Sequence, residues 1–511
     1  FKKNNYIFFS IDSLTHDSLN YTAHLFFGNP LWVNDIAIKG LEDWELNEIK
    51  QPKLPISLYK TQTYIEQIIN YLEENGYPFA SAVLQETIHD SNKVKVNIEV
   101  HKHNYILWDS IILKGNAKLS KSFLYAYFDI KPGKPYKESA VSQVPHLTQS
   151  LSFVEELQAG SVSFDKDKAA LYLYFDKQNT NQFDGFLGII PENANTKKML
   201  ITGNINLLLN NTMTLGERIS LQWKNPDKFS QNLDITFLFP YLFYTRLGLN
   251  GEFHLLKQDT SYFQFEFSPG LQYNFKGNNY IKLYYQYKNS RLIAIEHLKE
   301  SYVLPEHIDY DMNLYGLEVA TQQLDYIFNP RKGYALLVST AIGKHRIIKN
   351  NHLNKSLYEN IEMNSLRIQS YANLSWYIPI KKQWTWLLQT QAAFMYSPNL
   401  FENDLYRIGG MQSLRGFIEQ SIHASSYCLI KTEIRFLFAK KSFLYAFYDA
   451  GWYEKKYNGT YIHDIPFGFG IGTAFDTQAG IFTLNYALGK QKNNPIQLKT
   501  GVVNFGYIAV F

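Results

Sequence analysis

What this chain has little of narrows the reading first. It carries a single cysteine, Cys428, in 511 residues, so no intrachain disulfide framework braces it. No stretch of about eighteen consecutive apolar residues occurs, which argues against a transmembrane helix. Charged residues make up only 19%, and the net charge of +4 is too small to point to a nucleic-acid partner. Motifs for chemistry are missing too. There is no Gly-x-Ser-x-Gly elbow and no Walker loop. His101 and His103 share one strand face, but no Cys, His or carboxylate partners gather beside them, so solvated histidines are expected rather than a metal site. No catalytic residue, metal or cofactor is called for. The chain opens on Phe1 without a methionine, which reads as a removed signal peptide or a shortened chain.

Aromatics, by contrast, are abundant: 16% of residues, with 38 Tyr and 36 Phe. That excess argues against disorder and suits strands and the aromatic girdles of membrane barrels. A mean hydropathy of −0.27 does not oppose a barrel, because lipid-facing and lumen-facing residues alternate. From about Gln182 onward, segments of roughly ten residues alternate in this way. Ile281, Leu283, Tyr285 and Tyr287 interleave with Lys282, Gln286 and Lys288. Leu247, Leu249, Gly251, Phe253 and Leu255 interleave with Arg246, Asn250, Glu252 and His254. Sixteen such segments are expected, an even number as bacterial barrels usually have. Short turns at Asn210-Asn211, Pro240-Tyr241, Gly277-Asn278, Lys381-Lys382 and Lys440-Lys441 alternate with longer loops near 289–309, 345–364, 397–425, 453–464 and 489–498. The short turns belong on the periplasmic side and the long loops outside.

The first third differs. From Trp32 to Lys102 the pattern reads strand, helix, strand, strand. Tyr64, Ile68 and Leu72 lie four apart, with Ile65 and Ile69 beside them, on a helix that Gly76 ends. Val94, Val96, Ile98 and Val100 then alternate with polar residues. Tyr105 to Lys177 repeats this order, and a period of about seventy residues is the strongest organisational signal. Residues 5–14 and 19–27 look like two more strands. The domains expected are therefore 1–31, a partial module or amino-terminal β segment; 32–103 and 104–178, two α+β modules; and 179–511, an all-β barrel of sixteen antiparallel strands.

The segment Arg407-Ile-Gly-Gly-Met-Gln-Ser-Leu-Arg-Gly-Phe417 resembles the loop signature of the outer membrane assembly barrels, the family that includes BamA, TamA and the two-partner-secretion transporters. Glu433, the Asp449-Ala-Gly451 element, Gly470, Gly472, Gly480, Tyr486-Ala487 and the turn Asp325 to Gly333 follow the family's order. Tyr71-Leu-Glu-Glu-Asn-Gly-Tyr77 and Lys131-Pro-Gly-Lys-Pro-Tyr136 resemble its periplasmic POTRA modules. The last strand, with Asn504, Gly506 and the terminal Phe511, resembles the carboxy-terminal signal of barrel clients, although Ala509 stands where that signal prefers a bulkier residue. Gly468-Phe-Gly-Ile-Gly472 looks like a nucleotide loop only superficially, because no helix follows it. Glycines easing barrel packing are the better account.

The resemblance implies a loop folded into the barrel, with Arg415 partnered by Glu433 and Asp449. A partly desolvated arginine needs such carboxylates, and Gly409, Gly410 and Gly416, next to Phe417, would let the backbone bend against the wall. It implies a non-enzymatic protein of the bacterial outer membrane whose POTRA domains lie in the periplasm. Its partners would be unfolded outer membrane or secreted clients, outer membrane lipid and lipopolysaccharide, with accessory lipoproteins or an inner-membrane partner as further possibilities. Two mechanisms stay open. In the first, clients insert through a lateral seam between the first and last strands, where Gly185, Gly188 and Pro191 weaken pairing. In the second, a client passes through the lumen as in a two-partner-secretion transporter.

Overall fold

The computed structural model describes residues 9–17, 20–27, 30–90, 93–193, 196–225, 230–293, 303–327, 329–439, 441–457, 459–477, 480–492, 496 and 501–511. By contact the chain forms two units. One holds Phe1–Lys114, Asp129–Pro145 and Gln158–Tyr174, and the other Gly115–Phe128, His146–Leu157 and Phe175–Phe511.

Strands β1 (Phe9–His16) and β2 (Tyr21–Phe27) pair as an isolated antiparallel hairpin. The first strand expected at 5–14 runs two residues further, to His16, and residues 1–8 lie outside the described residues. Next come β3 (Trp32–Lys39), α1 (Asp43–Ile49), α2 (Leu58–Glu74), β4 (Ser81–Asp90) and β5 (Lys93–His101), with sheet order β3-β5-β4. Ser57 caps α2 by accepting the Lys60 amide at 3.1 Å. The helix buries Thr61, Tyr64, Ile68 and Leu72, and Gly76 ends it at a φ of +97° that only glycine adopts freely. Helix α1 was not anticipated. It is a two-turn element started by the Glu42/Glu45 capping box, and the buried Glu45 carboxylate receives Lys102 Nζ at 2.6 and 2.8 Å.

The order repeats in β6 (Leu107–Lys114), α3 (Lys121–Tyr127), α4 (Glu138–Ser142), α5 (Val144–Gln149), β7 (Val154–Asp165) and β8 (Lys168–Lys177), with sheet order β6-β8-β7. In each module the first strand lies parallel to the last. Glu74 at the end of α2 accepts both the amide and the hydroxyl of Ser139, each at 2.6 Å. The Ile106 amide reaches Gly76 O at 2.8 Å, and Tyr77 packs on Tyr105.

The remainder closes into one antiparallel barrel. Its strands, first to sixteenth, are Gln182–Asn193, Thr196–Asn210, Arg218–Asn225, Gln231–Phe239, Leu247–Gln258, Tyr262–Asn274, Tyr280–Leu292, Tyr310–Leu324, Gly333–Ile347, Asn364–Lys381, Trp384–Tyr396, Ser426–Ala439, Ser442–Tyr457, Thr460–Thr477 (interrupted at Ile465-Pro466), Gly480–Lys490 and Val502–Val510. Side chains alternate as read. Leu283 is 64% exposed on the outer face while its neighbour Lys282 is buried inside, paired with Glu252 and Glu318.

The linkers need correction at several points. The segment near 453–464 is no loop: the thirteenth strand runs to Tyr457 and the fourteenth returns from Thr460 as a β-hairpin. The interruption falls at Pro466, which has no N–H for the ladder; its carbonyl accepts the Gly451 amide at 3.0 Å instead. The turns expected at Asn210-Asn211 and Pro240-Tyr241 span 211–217 and 240–246. In the first of these, the Glu217 carboxylate gathers Thr212 Oγ1 and the Met213 and Leu215 amides. Parts of the loops at 289–309 and 489–498, together with Lys440 and Phe328, lie outside the described residues.

Candidate functional site

The segment between the eleventh and twelfth strands folds back as a small hairpin, Tyr406–Ile408 against Ile422–Ala424. It continues through Gly409 (φ +112°) and Gly410 (φ +90°). Such angles cost a side chain dearly, and here they turn the chain tightly enough for Ser413 Oγ to bond both the amide (2.7 Å) and the carbonyl (2.9 Å) of Gly409. Leu414 is then buried completely among Ile408, Ile422, Ala424, Tyr427 and Leu429, so that Arg415 points the other way.

Arg415 meets two carboxylates from adjacent strands. Its Nε and Nη2 donate to Asp449 at 2.7 and 2.6 Å, a bidentate fork, and its backbone amide adds a third bond at 3.2 Å. Nη1 donates to Glu433 at 2.5 Å. The guanidinium lies 3.8 Å from the centroid of Phe447. Arg435 holds the other oxygen of Glu433 through Nε at 2.7 Å, so two arginines face two carboxylates, and the buried Lys431, opposite Asp449 in register, donates to Gln412 O at 2.8 Å. Arg415 is 4% exposed and Asp449 not at all.

Gly416 (φ +91°) rests on the fifteenth strand, where an added Cβ would stand 2.7 Å from Leu488 O. At Gly468 an added Cβ would lie 2.0 Å from Arg415 O, and at Gly489 2.4 Å from Gly416 O. The glycine at 468, read from sequence as easing barrel packing, thus makes room for the loop tip. Phe417 packs at the edge of the Leu414 cluster.

The base of the same loop is held on the opposite wall, by residues the sequence reading missed. Asn403 donates to Ser290 Oγ (2.9 Å) and Ile308 O (2.8 Å), and its carbonyl accepts from Gln264 and Tyr310. Asp404 lies 3.4 Å from both His345 and Arg367, all three buried. Arg407 donates to Gln258 at 2.7 Å and to Tyr262. A loop that touches strands five to ten and also twelve, thirteen and fifteen must cross the interior. The available signal was an arginine at an inward position of the tenth strand, Arg367, with no carboxylate opposite it in the alternation.

The seam between the first and last strands is short. The last strand pairs with the first at Ala509–Phe183 and Val510–Gln182, with one further bond from the Phe511 amide to Asn181 O at 2.9 Å. Gly185, Gly188 and Pro191 lie beyond this contact and pair only with the second strand, opposite Ile205, Thr202 and Met199. The reason is register: the sixteenth strand meets the first at its outset, before the glycines begin. Asn504 bonds Asn485 at 3.0 Å, and Gly506 faces Thr483 across the strand pair. Cys428 sits on the twelfth strand at an outward position, partly exposed. His101 and His103 lie near each other, and no group of three or more His, Cys, Asp or Glu side chains placed to hold a metal occurs among the described residues.

Sixteen antiparallel strands, a loop drawn into the lumen and α+β modules ahead of the barrel define an outer-membrane barrel with POTRA-like domains. Residues 211–507 match the Omp85 superfamily domain, and the chain belongs to that superfamily. Among solved structures it resembles CdiB from Escherichia coli (TM-score 0.61, 13% identity, covering 94% of this chain and 90% of that one). It also resembles CdiB from Acinetobacter baumannii (0.57, 16%, 94% and 90%) and BamA from Haemophilus ducreyi lacking POTRA domains 1–3 (0.47, 17%, 94% and 100%). At these identities the likeness is one of fold alone. No curated protein compared with it matches in sequence.

Proposed function

We propose that this chain takes unfolded outer membrane or secreted polypeptides at the open sheet edges of its amino-terminal modules and delivers them into the outer membrane through the junction of its first and last strands. The two-pair seam carries this reading. Elsewhere the two edges do not pair with each other among the described residues. A backbone group left unpaired in hydrocarbon costs several kcal/mol, so the gap favours a further strand, and a client strand supplies one by β-augmentation. Arg415, with Glu433 and Asp449, keeps the loop inside while the seam works, and takes no part in bond-making.

A second reading is passage of a client through the lumen. The fold comparisons favour it, since both CdiB structures superpose better than the BamA structure. One experiment separates the two. In a Cys428→Ala background, Phe183→Cys and Ala509→Cys, opposite each other in register, are oxidised to a disulfide in the folded protein. The lateral route expects loss of function, restored by reduction. If the crosslinked protein still supports growth of a depletion strain, lateral delivery is wrong for this protein and the lumenal route stands.

A further inference from the structure

The outer face of strands seven to nine carries a feature that client handling does not use. Along this face the alternation places Ile281, Leu283, Leu317, Val319, Val338 and Ile342 outward, each at least 38% exposed, as the hydrocarbon belt requires. Above them Tyr285 and Tyr315 pair across the strands, ring centroids 5.4 Å apart, and Tyr285 OH donates to Asn313 at 2.5 Å. These rings mark the interface. The same outward positions then turn basic. Asp311 sits between two arginines: Arg291 Nη2 reaches one of its oxygens at 2.7 Å and Arg346 Nη2 the other at 2.8 Å. Lys344, opposite Asn313, is exposed beside them. Two arginines thus hold one carboxylate that is itself 9% exposed, with Lys344 on the same face, while Arg346 is 58% exposed. Among the described residues Arg346 bonds only through Nη2, so the rest of its guanidinium faces outward.

From Tyr315 to Asp311 is about 13 Å along the strand, or roughly 10 Å along the membrane normal at the usual tilt. That is headgroup height. A guanidinium fits phosphate oxygens in a bidentate pair, which Arg346 has free to offer, while Arg291, whose Nη1 donates to Ser290 O and Tyr310 O at 2.7 and 2.8 Å, contributes chiefly its charge; Asp311 fixes both arginines without neutralising the set.

We propose that Arg291, Arg346 and Lys344 form a binding site for the phosphate of an outer-leaflet glycolipid, with Asp311 as the positioning residue that holds the two arginines. The acyl chains of that lipid lie on the apolar belt directly below. The inference rests on the barrel's orientation in the outer membrane and is independent of the route clients take.

The test uses the purified full chain in nanodiscs and counts bound diphosphoryl lipid A by native mass spectrometry, with dephosphorylated lipid A and inorganic phosphate as separate probes. Arg291→Gln with Arg346→Gln is expected to weaken lipid A binding at least about tenfold, while binding of the dephosphorylated lipid is unchanged. Lys344→Gln alone is expected to weaken it less, and serves if the double variant does not fold. Asp311→Asn is expected to weaken lipid A binding too, by less than the double arginine variant does, because the arginines lose their anchor while a repelling carboxylate is also removed. Undiminished lipid A binding by the arginine and lysine variants overturns the proposal. So does inorganic phosphate binding as tightly as the lipid with the same arginine dependence, since the site would then serve a free anion.

Discussion

The eighth and ninth barrel strands pair residue by residue, from Tyr310–Ile347 to Leu324–Gly333. The sixteenth meets the first at Ala509–Phe183 and Val510–Gln182. Both junctions belong to one closed sheet, and both join strands of ordinary length. The difference is one of register and backbone chemistry. A long ladder at about 1 kcal/mol net per hydrogen bond holds its two strands as a unit, whereas a two-pair contact opens for a few kcal/mol. The ladder of the eighth and ninth strands is therefore closed along its length, and the weak line of the barrel lies between the first and last strands.

The sharpest way to break this contrast is a second disulfide in the strong junction. Leu317→Cys with Thr340→Cys, opposite each other in register, made in the Cys428→Ala background, is expected to leave activity intact, whereas the seam crosslink abolishes it. Equal loss from both would mean that any stiffening of the barrel is harmful and that the seam is not special. Orientation is the next test. Asn350→Cys in the loop after the ninth strand is expected to react with an impermeant thiol reagent added to whole cells, and Lys332→Cys in the preceding turn to stay unlabelled until the cells are opened. Equal labelling of the two would overturn the topology.

The two anchors of the loop are expected to differ in strength. Arg415→Ala leaves the buried Asp449 and Glu433 without their main partner and should destabilise the barrel by roughly 3–5 kcal/mol, read as a lowered midpoint of unfolding in denaturant. Glu433 keeps Arg435, so Asp449 is the more exposed to the loss. At the other wall Asn403→Ala removes neutral hydrogen bonds, and a loss of about 1–3 kcal/mol is expected in the same measurement. A larger loss from Asn403→Ala than from Arg415→Ala would reverse the ranking of the anchors.

Much of this molecule was legible in the chain because barrels and modules write their period locally. Alternation of Leu283 with Lys282, or the Tyr64–Ile68–Leu72 stripe, depends only on which face of an element meets water or lipid. The order of Arg415, Glu433 and Asp449 along the chain likewise sets the two carboxylates on consecutive strands, which are neighbours. Short polar segments misled. Lys455-Lys456 looked like part of a loop, yet the hairpin of Tyr457 and Thr460 continues the ladder there, because backbone pairing does not require apolar side chains.

What the chain by itself determined is thus the set of local periods: two α+β modules of one design, sixteen alternating strands, and a glycine-bounded arginine between two of them. Only the tertiary structure decided the rest. The Asn403, Asp404 and Arg407 anchor joins residues up to 149 positions apart in the chain, from Gln258 to Arg407, and no local pattern encodes which inward side chains will face one another across a lumen. Seam register is equally nonlocal. Whether Gly185, Gly188 and Pro191 meet the last strand depends on how the stagger of every intervening pair accumulates around the barrel, and that sum left them paired to the second strand alone.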